Sequence, residues 1–216
     1  MKGFTKPVLI ILITLILDQV LKFWIKLNFT LGQEIHIIKD RVIIHFTENN
    51  GMAFGLELGG EAGKLALSLF RIIAIVAIAY GLYHLVRNKY HRGLITNVSL
   101  IFAGALGNII DSAFYGVIFS ESTWYEKARL FPAEGGYSSF LHGKVVDMFY
   151  FPIIQGQFPS WLPLWGGDEF TFFRPVFNLA DAAISVGVIL ILIGQKKYFK
   201  EELAETSNIN NEIVEE

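Results

Sequence analysis

LITNVSLIFAGALGNIIDSAFYGVIF, residues 94–119, contains a single charged residue, Asp111. A bilayer core asks for about 20 consecutive apolar residues in a helix, and this stretch exceeds that. Three more stretches of this kind lie at about 7–25, 65–86 and 177–195. Apolar residues make up 53% of the 216-residue chain and charged ones only 18%, against about 25% charged in an ordinary soluble domain. The surplus is gathered into these spans, so the expected fold class is membrane all-α: a four-transmembrane-helix bundle with extended outer loops. A net charge of −2 carries no nucleic-acid signature. With no cysteine, disulfides, thiolate chemistry and cysteine-ligated zinc or iron–sulfur sites are excluded.

Pro7 suits a first helical turn, and Lys2 and Lys6 precede it as in a secretory signal. No small-residue cleavage site follows; Asp18, Gln19 and Lys22 come instead, which reads as an uncleaved anchor. The second and third spans are joined only by residues 87–92, a connection short enough to make an antiparallel hairpin. Basic residues gather at Lys2 and Lys6, at Arg87, Lys89 and Arg92, and at Lys196, Lys197 and Lys200. Four spans put these three segments on one side, and the positive-inside rule makes that side the cytoplasm. Both termini are then cytoplasmic, and the loops at about 26–64 and 120–176 face outward. Residues 35–38 and 41–46 flank Lys39 and Asp40 as a hairpin at the membrane surface. Residues 47–55 and the Gly59-Gly60 pair read as turn and loop. The second outer loop holds most of the prolines, two Gly-Gly pairs and many aromatics, so it is not one helix. Residues 1–200 form one integral membrane domain in this reading. Residues 201–216, with six glutamates and no basic residue, form a solvated tail.

A carboxylate inside a span is costly and marks a functional site by default. Asp18 lies about 11 residues, or roughly 16 Å, from the inner start of the first span. Asp111 is about 17 residues, roughly 26 Å, into the third. Asp181 sits in the opening turn of the fourth, which enters from outside. All three fall in the outer half of the bilayer, and Asp147, in the loop feeding the fourth span, can fold back to their level. Gly104, Asn108 and Asp111 share one helix face, as do Asn178 and Asp181. Each residue also has a structural reading: an i,i+4 ion pair for Asp18 with Lys22, interhelical bonding for Asp111 with Asn108, a helix cap for Asp181, a plain loop carboxylate for Asp147, and a paired or snorkelling role for Arg71. The aromatic loop equally reads as an interfacial belt.

The available chemistry is narrow. The histidines are scattered and no HExxH is present, so neither a triad nor a zinc hydrolase is supported. Two adjacent carboxylates can share a proton, one activating water while the other polarises a carbonyl. A carboxylate-based ion or proton transporter is the alternative, although no carboxylate lies in the inner half of any span.

These residues together resemble bacterial lipoprotein signal peptidase, or signal peptidase II. The carriers are LDQVLK (17–22), NNGMAF (49–54), GALGNIID (104–111), GKVVD (143–147) and FNLADAAISVG (177–187), five motifs in order on four spans. The resemblance implies an aspartyl endopeptidase of the bacterial cytoplasmic membrane that removes signal peptides from prolipoproteins carrying a diacylglyceryl cysteine. It implies Asp147 and Asp181 as the catalytic pair, and Asn49, Gly104, Asn108, Asn178 and Ala180 as residues shaping or contacting the substrate site. Asp18, Lys22 and Asp111 become structural supports. It also implies a small extracytoplasmic β-sheet cradle, supplied by residues 35–46, with membrane lipids as neighbours and no metal or cofactor. Ser112 stands where the family usually has arginine, and the segments 113–142 and 153–176 are longer than usual.

Overall fold

The computed structural model describes residues 3–49, 60–172 and 175–199. Most of the expected 49–54 motif and the acidic tail lie outside the described residues. Among the described residues, four helices are long and apolar enough to cross a membrane. They are α1 (Thr5–Asn28), α2 (Gly60–Arg87), α3 (Arg92–Ile110) and α4 (Leu179–Tyr198), with α3 packed against the other three. Their amphipathicity is inverted relative to a water-soluble bundle. Ile16, Val20, Ile73, Val76, Leu192 and Ile193 are each more than half exposed, whereas Asp18, Lys22, Lys26 and Asp111 are buried. In a lipid solvent the apolar side chains lose nothing by facing outward, and the charges must find partners inside.

Small residues bring the helices close enough for those partners to meet. A Cβ on Gly104 would lie 2.3 Å from the Ala180 carbonyl oxygen, and one on Gly107 would lie 2.7 Å from Asp18 Oδ2. Neither position has room for a side chain. At one end of the bundle, Phe4 packs on Tyr83 and Tyr198 on His91, with ring centroids 5.9 and 4.9 Å apart. The helix ends flanked by the three basic segments therefore share one end, here called the connector end.

At the opposite end the chain turns to strands. β1 (Glu34–Ile38) and β2 (Val42–Asn49) form the expected antiparallel hairpin. β3 (Val145–Tyr150) pairs with β2, so that Thr47 stands opposite Asp147 and Asn49 opposite Val145. β4 (Ile154–Gln157) and β5 (Glu169–Phe172) make a separate two-stranded ribbon, and β6 (Val176–Phe177) completes the main sheet in the order β1-β2-β3-β6. Asp147 thus lies on a strand, where the sequence suggested a loop. Phe177 pairs with Phe149 in the sheet, so the fourth helix begins two residues later than expected, at Leu179. Phe29, Phe46, Tyr115, Phe119, Val146 and Met148 form the apolar cluster that joins sheet to bundle.

The insertion at 113–142 has a visible task. Past Ile110 the third span continues as a π turn, Asp111–Tyr115, and a last turn, Gly116–Ile118. The returning segment caps the carbonyls this unwinding leaves. Gly143 N donates to Ser112 O at 2.8 Å, Ser138 N to Gly116 O at 2.9 Å, and Tyr137 N to Phe119 O at 3.0 Å. That capping delivers Gly143 directly to the start of β3.

Candidate active site

The site grows from the polar face of α1. Lys22 is one helical turn beyond Asp18, and its buried ammonium has three acceptors for its three protons. Nζ lies 2.9 Å from Asp18 Oδ2, 2.9 Å from Asp111 Oδ2 and 3.0 Å from Asn108 Oδ1. Gln19 ties the same carboxylates together, donating to Asp18 Oδ2 at 3.1 Å and to Asp111 Oδ1 at 3.0 Å, and it accepts from the Tyr115 hydroxyl at 3.2 Å. Both carboxylates also reach beyond this cluster, Asp18 with its remaining oxygen and Asp111 with the oxygen that Lys22 already holds. Asp18 Oδ1 accepts from Ala180 N, in the first turn of α4, at 2.9 Å. Asp111 Oδ2 accepts from Val146 N, in β3, at 3.3 Å. One charge cluster therefore fixes both elements that follow, the fourth helix and the third strand.

Two asparagines carry this order to the remaining carboxylates. Asn108 Nδ2 donates to Asp181 Oδ1 at 2.7 Å. Asn178 is the N-cap of α4 and forms a capping box: its Oδ1 accepts from Asp181 N at 2.9 Å, and Asp181 Oδ2 accepts from Asn178 N at 3.3 Å. The Asn178 amide also donates to Asp147 Oδ1 at 2.7 Å and to Asn108 Oδ1 at 3.1 Å. Asn49 Nδ2 donates to Asp147 Oδ2. The carboxylates of Asp147 and Asp181 are thus both held by Asn178, the first by its side-chain amide and the second by its backbone N–H, although they come from a strand and a helix more than thirty residues apart in sequence. Every buried side-chain nitrogen and oxygen among the described residues is hydrogen-bonded.

The two carboxylates differ in environment. Asp147 is 2% exposed, and burial first, then the neighbouring Asp181 charge, pushes its carboxyl up to about 8. Asp181 is only half-buried. At neutral pH this leaves Asp147 as a carboxylic acid beside the half-buried Asp181. Arg71, on the inward face of α2, acts electrostatically on Asp181, Asp111 and Asp147 in that order.

All ten residues singled out in the sequence gather here. Asp147, Asp181, Asn49, Asn108 and Asn178 form the inner network, Gly104 and Ala180 its closest backbone approach, and Asp18, Lys22 and Asp111 its support. The structural readings of Asp18, Asp111 and Asp181 hold as well: the ion pair, the interhelical bonds and the cap are all present. Ser112 donates to the Asn108 carbonyl within its own helix, at 3.1 Å.

Lys26 was missed. The sequence ends the first span near residue 25, but α1 runs to Asn28, and Lys26 is buried against Glu48 and Ser122. Its ammonium lies 5.3 Å from the Phe119 ring centroid and 5.0 Å from that of Tyr137. Burial raises the Tyr137 phenol above its ordinary range, and its hydroxyl accepts from Lys144 N at 2.6 Å. The i, i+4, i+8 series Asp18, Lys22, Lys26 was the available signal.

Residues 10–196 match the family model described as signal peptidase (SPase) II. The chain is 56% identical over 185 residues to a lipoprotein signal peptidase of Porphyromonas gingivalis, covering 85% of this chain and 80% of that one. It is 34% identical over 212 residues to that of Amoebophilus asiaticus, covering 95% and 85%. A solved bacterial membrane enzyme superposes with a TM-score of 0.57 at 27% identity, covering 88% of this chain and 92% of the other. The transporter alternative finds no support among these relatives.

Proposed function

The chain belongs to the signal peptidase II family, aspartic-type proteases that remove signal peptides from prolipoproteins, and on that footing we propose that Asp147 and Asp181 are the pair that cleaves the peptide bond. The observation carrying this is that Asn178 holds both carboxylates, a buried, proton-holding Asp147 through its side-chain amide and a more open Asp181 through its backbone N–H. In the proposed reaction, the ionised Asp181 takes a proton from water as the water oxygen attacks the scissile carbonyl. Asp147 gives its hydrogen bond, and then its proton, to the carbonyl oxygen. The tetrahedral intermediate then returns a hydroxyl proton to Asp147 as the C–N bond breaks and Asp181 protonates the leaving amine. The pair titrates as a unit and regains its starting state when product departs.

The substrate is a prolipoprotein whose cysteine carries diacylglycerol, cut just before that cysteine. Asn49, Asn108 and Asn178 hold the carboxylates at fixed orientation, and the Gly104–Ala180 approach shapes the floor on which the peptide lies. The sheet end faces the outside of the bacterial cytoplasmic membrane and the connector end the cytoplasm, in line with the basic residues at that end. The sheet then rests at the outer membrane–water boundary, and the cleft opens where a lipidated peptide arrives from the bilayer.

The test is incubation of the purified chain with a diacylglyceryl-modified prolipoprotein. Signal-peptide release that disappears in Asp147→Asn and in Asp181→Asn, with both variants still inserted and folded, supports the assignment. Normal turnover by either variant refutes it.

A further inference from the structure

Away from the carboxylates, the connector half of the bundle has its own feature. Between α2 and α3 lies a cavity of about 530 Å3, lined by Ile78, Tyr80, Gly81, His84, Val98 and Ile101. Glycine weakens a helix interior, and it is usually kept there for close packing. Gly81 has no such reason among the described residues, because a Cβ there would meet nothing within 4 Å. What the missing side chain provides is the groove itself.

Its dimensions and its rim point to an occupant. From Arg87 back to Ile78, and from Arg92 on to Ile101, is nine residues in each helix, about 14 Å, close to the roughly 15 Å of one leaflet's hydrocarbon. Beyond its connector-side end, which reaches His84 and Leu85, the connector carries Arg87, Lys89 and Arg92, all exposed, and no acidic residue between 87 and 93. None of the three takes part in an ion pair among the described residues; Arg87 donates to the Tyr83 hydroxyl at 2.6 Å. An apolar groove whose far end lies about one leaflet's depth from three cations, none of them ion-paired among the described residues, fits a lipid with a negative headgroup. A second membrane helix fits less well. Ala77 and Gly81 give one small-residue step, but Leu85 follows at the next position and Tyr80 stands out at 72% exposure.

We infer that the α2–α3 groove is a binding site for one anionic phospholipid, an acyl chain lying over Gly81 and the headgroup on Arg87, Lys89 and Arg92. The site is separate from the carboxylate pair and does not depend on it.

The experiment is native mass spectrometry of the full chain, stripped of lipid in detergent and offered phosphatidylglycerol or phosphatidylcholine. Wild type is expected to retain one phosphatidylglycerol in preference to phosphatidylcholine. Gly81→Leu, which fills open space, is expected to lose that lipid while still processing prolipoprotein. Neutralising each connector cation in turn, as in Arg87→Gln, is expected to lower the preference about fivefold while leaving weak binding of both lipids. Equal retention of the two lipids by wild type overturns the inference, as does unchanged retention by Gly81→Leu. A lipid-independent dimer that Gly81→Leu dissociates also overturns it, and assigns the groove to a second copy.

Discussion

Lys22 and Lys26 lie one turn apart on the same face of α1, and both are fully buried. Lys22 looks into the bundle, where two carboxylates and an asparagine exhaust its donors and pass its order on to Asp147 and Asp181. Lys26 looks toward the sheet, where Glu48, Ser122 and the faces of Phe119 and Tyr137 receive it. The first cluster holds the candidate chemistry and the second holds the inserted segment onto the sheet. A buried lysine in this chain therefore says little by itself; what its partners are attached to decides its role.

Breaking the two clusters separately should separate the two roles. The largest expected effect is on turnover. Asp147→Asn and Asp181→Asn should each lower prolipoprotein processing about 1,000-fold or more, whereas Glu48→Gln, in the second cluster, should stay within about tenfold, as read by peptide release under single-turnover conditions. Comparable losses in all three would erase the distinction.

Stability should divide in the same direction. Lys22→Met leaves Asp18 and Asp111 buried without their cation, a loss of about 3–5 kcal/mol. Lys26→Met should cost less, about 1–3 kcal/mol, because Glu48 keeps the Ser122 hydroxyl at 2.8 Å and has Lys144 at 3.8 Å. Denaturant unfolding in micelles gives both values. A larger loss at Lys26 would reverse the ranking.

The pH response sharpens the contrast further. The Asp147 carboxyl rises from 3.8 in the unfolded chain to about 8 in the folded one, so folding favours its protonated form. The stabilisation linked to that proton is complete below about pH 4 and fades as pH climbs through about 8. Thermal midpoints of wild type should decline over that window, and the decline should flatten in Asp147→Asn, which has no proton to lose. Activity should fall on the alkaline side of the same transition. The smallest effect is expected at Ser112, whose hydroxyl bonds only its own helix backbone; Ser112→Ala should change stability by less than about 0.5 kcal/mol and leave turnover near wild type.

Much of the bundle was readable because a bilayer imposes both length and polarity on its spans. That Asp18, Asp111 and Asp181 meet at one level of the bundle followed from helix rise and span direction, and the Asp18–Lys22 pair followed from helix periodicity. The strand placement of Asp147 did not, since it depends on β2 pairing with β3 across most of the chain. The Lys26–Glu48 pair was hidden for the same reason: Glu48 sits on a strand whose register only tertiary structure sets. The π turn after Ile110 left no local signal either, because its freed carbonyls are satisfied by residues 137–143, part of a long insertion. The end of α1 was misplaced because a buried lysine reads, by composition, as the edge of a span.

Whether Asp147 holds a proton beside an ionised Asp181 is the claim on which the mechanism turns, and infrared titration of the full chain in lipid nanodiscs reads it directly. A protonated-carboxyl carbonyl band that persists through neutral pH, disappears near pH 8 and is missing from Asp147→Asn is the expected result. A band that is lost in the ordinary carboxylate range near pH 4, or one that survives in Asp147→Asn, would contradict it.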